Sequence, residues 1–248
     1  MISILGHRGG GALWPENSLA GFRNAITLGI DAVELDVHVS RDGEVVVIHD
    51  NTLERTTHGT GFVQDRTSAE LAMTRLRETD EGVPTLEAVL DLFEPASTEL
   101  FVELKTDAGG RAYPGLEERV VDMLARRGMI ARAGILCFVP EILETVRRVE
   151  PALRLCAPVV RATAQMHGGL ERMLDRLDTI PDCLVSVERS LLLHAREYCI
   201  DRLGPGRLCA GVINDPDELD FWMTQNVHQV VSDRPDLALA ARKRHLAG

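Results

Sequence analysis

Glu34 and Asp36 stand two residues apart inside the run Ala32-Val33-Glu34-Leu35-Asp36-Val37, which otherwise reads as a buried β-strand. Residues two apart on a strand share a face. Two carboxylates therefore project together from an apolar element. Burying one unpaired carboxylate costs roughly several kcal/mol or displaces its pKa, and two side by side also repel. A bound cation resolves both problems. Oxygen-only ligands favour a hard ion, Mg²⁺ or Ca²⁺. The plainer alternative leaves both carboxylates at the exposed end of the strand.

Further reactive side chains end other apolar runs. His7 and Arg8 follow the run at 2–6, and Glu103 and Lys105 end the run at 99–104, again spaced by two. His49 and Asp50 close a short β-like stretch after the turn Arg41-Asp42-Gly43. Taken singly, a strand-end histidine is often a structural hydrogen bonder, and a Glu-x-Lys is often an ion pair. Together these types suit phosphoryl transfer. Three carboxylates can hold a divalent cation with positions left open. Arg8 can clamp a phosphate with its planar fork, and Lys105 can add a point charge. His7 and His49 can divide the acid and base roles.

These groups must be brought to one place. Strands are expected at 2–6, 32–39, 99–104, 134–138, 153–158, 183–187, 207–213 and 229–232. Helices are expected between them, at 18–28, 86–93, 116–127, 140–149, 169–177, 191–203, 216–225 and 237–245. Strict alternation implies a parallel sheet. Eight units in a chain of 248 residues suit a (β/α)₈ TIM barrel. Its reactive groups lie at the C-terminal ends of the strands, where the four segments above converge. A doubly wound open sheet competes, but no GxGxxG follows the first strand. One segment breaks the rhythm, because residues 40–85 are too long for a βα loop. Residues 51–84 are read as a small insertion after the second strand, with a short helix at 68–76. No linker or repeat marks a second core domain, so residues 1–248 are expected to form a single domain. Phe62 and Val63 are read as exposed apolar residues of the insertion, serving as a lid or as a contact in a homo-oligomer.

Composition narrows the partners. Lys plus Arg number 27 and Asp plus Glu 38, a formal net charge of −11. That argues against nucleic acid or an anionic membrane as partner, since both need a basic footprint. A small anionic substrate stays compatible, because a metal and a few cations can reverse the field inside a cleft. Cys137, Cys156, Cys183, Cys199 and Cys209 form no CxxC pair and read as buried free thiols. The N-terminus lacks a basic n-region and a long apolar h-region, and no run reaches membrane-span length. A cytoplasmic protein is the expectation.

The ordered motifs resemble the glycerophosphodiester phosphodiesterase family. They are His7-Arg8-Gly9, Pro15-Glu16-Asn17-Ser18, Glu34-Leu35-Asp36-Val37, and Arg41-Asp42-Gly43 with Val46-Val47-Ile48-His49-Asp50. Leu53 to Gly61, Pro84-Thr85-Leu86-Glu87, Glu103-Leu104-Lys105 and Ser232-Asp233-Arg234-Pro235 continue the match. The resemblance implies a Mg²⁺- or Ca²⁺-dependent enzyme that releases sn-glycerol 3-phosphate and an alcohol from a small glycerophosphodiester. By the same resemblance Glu34, Asp36 and Glu103 bind the metal, and His7 and His49 are acid and base. Arg8 and Lys105 hold the phosphate. The route it implies is attack by the glycerol 2-hydroxyl through a cyclic phosphate. Asp50 is expected to orient the His49 loop. Pro15-Glu16-Asn17-Ser18 is expected to be a structural turn and helix start, capped by Asn17 or Ser18.

The second half departs from the family pattern. Cys137-Phe138 replaces a Ser-Phe pair, and Gly211-Val212-Ile213-Asn214 replaces a Trp-Thr-Val-Asn run. Phe138 is kept as a candidate apolar wall for the substrate. The missing aromatic leaves headgroup preference open, so another small phosphodiester, such as a sugar phosphodiester, is an alternative substrate. An inactive barrel acting as a binding protein is the alternative outside catalysis.

Overall fold

The structure, a computed structural model, describes residues 1–247. In chain order the elements are β1 (Ser3–Gly6), α1 (Leu19–Leu28), β2 (Ala32–Val39), β3 (Val45–Val47), α2 (Ser68–Met73), α3 (Leu86–Phe93), β4 (Glu99–Leu104), α4 (Leu116–Arg126), β5 (Ala133–Leu136) and α5 (Pro140–Val149). They continue with β6 (Arg154–Val159), α6 (Arg161–Met166), α7 (Leu170–Leu177), β7 (Cys183–Glu188), α8 (Arg189–Arg207), β8 (Leu208–Gly211), α9 (Pro216–Met223), β9 (Gln229–Ser232) and α10 (Pro235–Ala247). Every strand but β3 pairs in parallel with its neighbours, and β1 pairs with both β2 and β9. The sheet therefore closes into the expected (β/α)₈ TIM barrel. All eight expected strands form. β3 pairs antiparallel with the end of β2, outside the barrel. The helix α6 was not expected, since six residues carry too little periodicity to read.

Period-two alternation separates two cores. Val33, Leu35 and Val37 of β2 face the surrounding helices in the main apolar cluster. Leu5, Ala32, Phe101, Leu136, Cys156, Leu184, Cys209 and Val231 fill the barrel interior. Gly134 makes room there, since a Cβ on it would lie 2.5 Å from the Phe101 ring. Above Ala32 on the same face come Glu34 and Asp36, so the chain places both carboxylates inside the barrel mouth. All five cysteines are free and buried, as expected. Among the described residues no helix is long and apolar enough to cross a membrane.

The segment after β3 packs a small core of its own, from Val46, Ile48, Leu53, Val63, Leu71, Leu76 and Val83. This corrects one reading: Phe62 is exposed, but Val63 is fully buried and anchors the insertion. Thr67 caps α2 in a capping box with Glu70, which starts the short helix. The backbone N–H of Val47 donates to Pro84 O, which ties the segment's far end to the barrel.

Candidate active site

β2 and β4 lie in parallel register with Asp36 beside Glu103, and Glu34 one step deeper. Glu34 and Asp36 are almost completely buried, and Glu103 is 7 % exposed. One carboxylate oxygen from each lies within 4.8 Å of the others. Glu34 Oε2 accepts a hydrogen bond from the Arg8 backbone N–H at 2.9 Å. Its Oε1 is buried and accepts none among the described residues. Asp36 Oδ2 accepts from Asn17 Nδ2 at 2.8 Å, and the Arg8 guanidinium lies 3.5 Å from it. Asp36 Oδ1 is met by Lys105 Nζ at 2.8 Å, an ion contact that lacks hydrogen-bond alignment.

The electrostatics follow from this crowding. Burial and the adjacent Asp36 push the Glu34 carboxyl well above the usual carboxylate range. Burial also raises Glu103, against the pull of Lys105. Burial would raise Asp36 too, but Lys105, His49 and Arg8 hold it well below its ordinary value. Lys105 resists the burial that would neutralise it, because Glu103 and Asp36 favour its charge. Three buried carboxylates thus share one ammonium, and a buried oxygen of Glu34 still lacks a partner. An oxygen-only donor set with an orphaned buried oxygen fits a hard divalent cation.

Two histidines flank this cluster, each held by a carboxylate. His7 Nδ1 lies 2.7 Å from Asp233 Oδ1, and His49 Nδ1 lies 2.6 Å from Asp50 Oδ1. A carboxylate at Nδ1 fixes the proton there, so Nε2 of each neutral ring is the basic atom. Asn214 braces Asp233 through Nδ2 at 2.8 Å and accepts from its backbone N–H at 2.8 Å. Arg55 braces Asp50 through Nε at 2.6 Å and Nη2 at 3.0 Å. Burial works against charge on His7, but Asp233 and Glu34 outweigh it and raise its pKa. Burial lowers the pKa of His49, and the nearby Lys105 and Arg8 cations lower it further. His38 bonds Tyr113 Oη at 3.0 Å and the His49 carbonyl at 3.1 Å, which pins the loop that carries His49.

The expected site residues do come together, with two differences in what they touch. Lys105 points into the acidic cluster and pairs with Glu103 as well as Asp36. Arg8 is already held by Glu16, at 3.0 Å. Phe138 lines the mouth, with Lys105 Nζ 5.9 Å from its ring centroid. The Pro15-Glu16-Asn17-Ser18 turn is more than a helix start. Ser18 caps α1 by accepting from Gly21 N–H, whereas Asn17, in the left-handed region at φ +54°, reaches Asp36. Asp50 holds the His49 ring itself, a closer role than orienting its loop.

Glu16, Arg55, Asp233 and Asn214 stand in motifs quoted from the sequence but were given no role in the site. Asp233 had a findable signal, since barrel closure puts the end of β9 beside the end of β1. Arg55 had none. It bonds Glu16 at 2.7 and 2.8 Å while also bonding Asp50, so one guanidinium from the insertion supports both Arg8 and His49. Arg55→Met is expected to lower kcat and raise KM, each by about tenfold, since two positioned groups lose their support. Steady-state kinetics beside a melting curve checks this. An unchanged kcat with a lowered Tm would reduce Arg55 to a structural residue.

A cavity of about 250 Å³ opens from His7, Arg8, Glu34 and Glu103 across to Phe138, Glu188 and Val212. A larger hollow of about 750 Å³ lies at the opposite end of the barrel, lined by Asp31, Glu99, Arg154 and Arg242. Its charges already pair with one another, Arg242 with Asp31 and Arg154 with Glu99, and none of the groups above reaches it. In a (β/α)₈ barrel the C-terminal mouth is the reactive end.

Fold and site together define a (β/α)₈ barrel with two carboxylate-held histidines around a buried acidic cluster at its mouth. The profile of the glycerophosphoryl diester phosphodiesterase family matches residues 7–193. The chain belongs to that family. A glycerophosphodiester phosphodiesterase of Caldanaerobacter subterraneus subsp. tengcongensis is 35 % identical over 158 residues, which span 61 % of this chain and 64 % of the relative. One from Bacillus altitudinis is 29 % identical over 98 % of this chain and 99 % of its own length. Among solved structures, an Oleispira antarctica phosphodiesterase in complex with the product sn-glycerol-3-phosphate is similar at a TM-score of 0.81 and 26 % identity, covering 97 % of this chain and 96 % of that one. A glycerophosphodiester phosphodiesterase from Agrobacterium tumefaciens is similar at a TM-score of 0.75 and 25 % identity, covering 97 % of this chain and all of that one.

Proposed function

We propose that this protein hydrolyses small, water-soluble glycerophosphodiesters to sn-glycerol 3-phosphate and an alcohol, as one phosphodiesterase domain carrying the 51–84 insertion. The observation that carries this reading is the pair of histidines, each with Nδ1 on a carboxylate, on either side of a buried carboxylate cluster. Family membership and the product bound in the Oleispira relative support the substrate class.

Glu34, Asp36 and Glu103 would hold the divalent cation, Mg²⁺ or Ca²⁺. When bound, it supplies neutralisation of the non-bridging phosphate oxygens. Arg8, steadied by Glu16, is placed to meet the same oxygens with guanidinium N–H donors. Lys105 favours the charged forms of Asp36 and Glu103, and its ammonium adds a positive charge near the phosphate. One histidine Nε2 takes the proton from the glycerol 2-hydroxyl as that oxygen attacks phosphorus. The other histidine gives a proton to the departing alcohol oxygen. A 2,3-cyclic phosphate results, and water opens it with the two roles exchanged. An internal nucleophile already held beside phosphorus can gain up to about 7–11 kcal/mol from proximity.

The test is release of sn-glycerol 3-phosphate from glycerophosphocholine, glycerophosphoethanolamine and a sugar phosphodiester, with Mg²⁺, with Ca²⁺ and with a chelator. Metal-dependent release from the first two is the expected result. Turnover of the sugar phosphodiester alone would shift the substrate class. Metal binding without turnover of any phosphodiester would leave a binding protein.

A further inference from the structure

We propose that Glu188 selects the alcohol half of the substrate and favours a cationic amino-alcohol headgroup over a neutral one. The inference rests on the hydrolysis of glycerophosphodiesters argued above. Leu184, Ser186 and Glu188 share one face of β7, and Leu184 lies in the barrel-interior cluster. Glu188 is therefore the mouth residue of that row, and it lines the same cavity as His7, Arg8 and Glu34. The wall around it is largely apolar, formed by Leu136, Phe138, Pro158, Val160 and Val212, with Ser186 one step deeper on β7. Among the described residues Glu188 is the one carboxylate lining that side of the cavity.

Its bonding leaves it available. Oε2 accepts from the Arg161 backbone N–H at 2.8 Å, which fixes the carboxylate in place. Glu188 joins no ion pair among the described residues, whereas Glu103 at the other end of the cavity is paired with Lys105. A carboxylate half-exposed in an apolar-walled mouth, with no cation of its own, is complementary to a positively charged ligand.

β8 offers no aromatic platform for such a cation. Glu188 stands in register with Gly211, so β8 contributes no side chain beside it. A Cβ on Gly211 would lie 2.4 Å from Val231 Cβ, so a larger residue cannot enter without displacing that strand. The Phe138 ring already faces the Lys105 ammonium. Beside Phe138, the Glu188 carboxylate is the group on this wall that can recognise an ammonium by charge. Arg8, with the cation that Glu34, Asp36 and Glu103 would hold, marks the phosphate end of the cavity, and Glu188 lines the opposite end. That polarity matches a zwitterion with phosphate at one end and an ammonium at the other.

The experiment compares kcat/KM for glycerophosphocholine, glycerophosphoethanolamine and the neutral-headgroup glycerophosphoglycerol. It uses the wild-type enzyme, Glu188→Gln, Glu188→Lys and Glu188→Asp, each with a melting curve. Glu188→Gln keeps the shape and the acceptor for Arg161 N–H. It is expected to lower the choline-to-glycerol ratio of kcat/KM by about tenfold, the size of a partly screened charge contact. Glu188→Lys should lower the ratio further, and Glu188→Asp should keep most of it. An unchanged ratio in folded Glu188→Gln overturns the inference. So does a uniform fall across headgroups, which would put a glycerol hydroxyl against Glu188. A wild-type enzyme silent on all three would instead sink the proposed hydrolysis, and this inference with it.

Discussion

Replacing His49 by alanine is expected to lower kcat by about 10²–10⁴-fold, the range for losing a general acid or base. The ring does not anchor a strand, and its Nδ1 is spoken for by Asp50 at 2.6 Å. What alanine removes is the Nε2 position, so KM and melting temperature should move little. His7→Ala should behave alike, because His7 faces the cluster from β1 with Nδ1 on Asp233. The informative comparison is the double variant. If the two rings serve one proton-transfer sequence, losing both should cost little more than losing either. Additive losses, or a single loss under about tenfold, would remove these histidines from acid–base work.

Stripping divalent metal is expected to cost about 10³-fold or more in rate, since metal and neighbouring donors together stabilise charge on the phosphate. Glu34→Gln gives the structural counterpart. The variant keeps the acceptor for Arg8 N–H but removes a carboxyl whose ionisation burial and the adjacent Asp36 oppose. The metal-free variant should be more stable than metal-free wild type. A gain of about 1 kcal/mol corresponds to about 2–4 °C in a chain of this size. Added Mg²⁺ or Ca²⁺ should raise the wild-type Tm through mass action and leave the variant's nearly unchanged. A wild-type Tm indifferent to both ions at millimolar concentration would show that Lys105 alone satisfies the cluster and that no hard cation binds there.

The local pattern of β2 carried much of this in the chain itself. Alternating Val33, Leu35 and Val37 against Ala32, Glu34 and Asp36 states which face is outer core and which is barrel interior. The same two-residue spacing set Glu103 and Lys105 on one face of β4. Strand–helix alternation then bounded the architecture, because parallel strands need crossovers. The short strand β3 and the insertion were legible as an interruption of that rhythm. Their packing was not, as Val63 shows. An apolar residue in a polar stretch says nothing about which side of a small core it faces.

The supporting contacts could not be read from any local stretch of the chain. Arg55 sits 39 positions from Glu16 and five from Asp50, yet bonds both. Asp233 lies 226 positions from His7. Asn17 reaches Asp36 only because its backbone takes a left-handed conformation at the turn before α1. Glu188 was passed over because a carboxylate just beyond an apolar run usually marks a solvated strand end.

By itself the sequence determined the strand periodicity, the barrel class and the chemical types gathered at the mouth. These depend on side-chain alternation and on local turn chemistry, which act over a few residues. Only the tertiary structure decided which carboxylate holds which histidine, that Lys105 lies within the acidic cluster, and that the far wall carries one unpaired Glu188. Those outcomes depend on barrel closure and strand register. Both are set by the packing of the whole ring, so no local stretch of the chain encodes them.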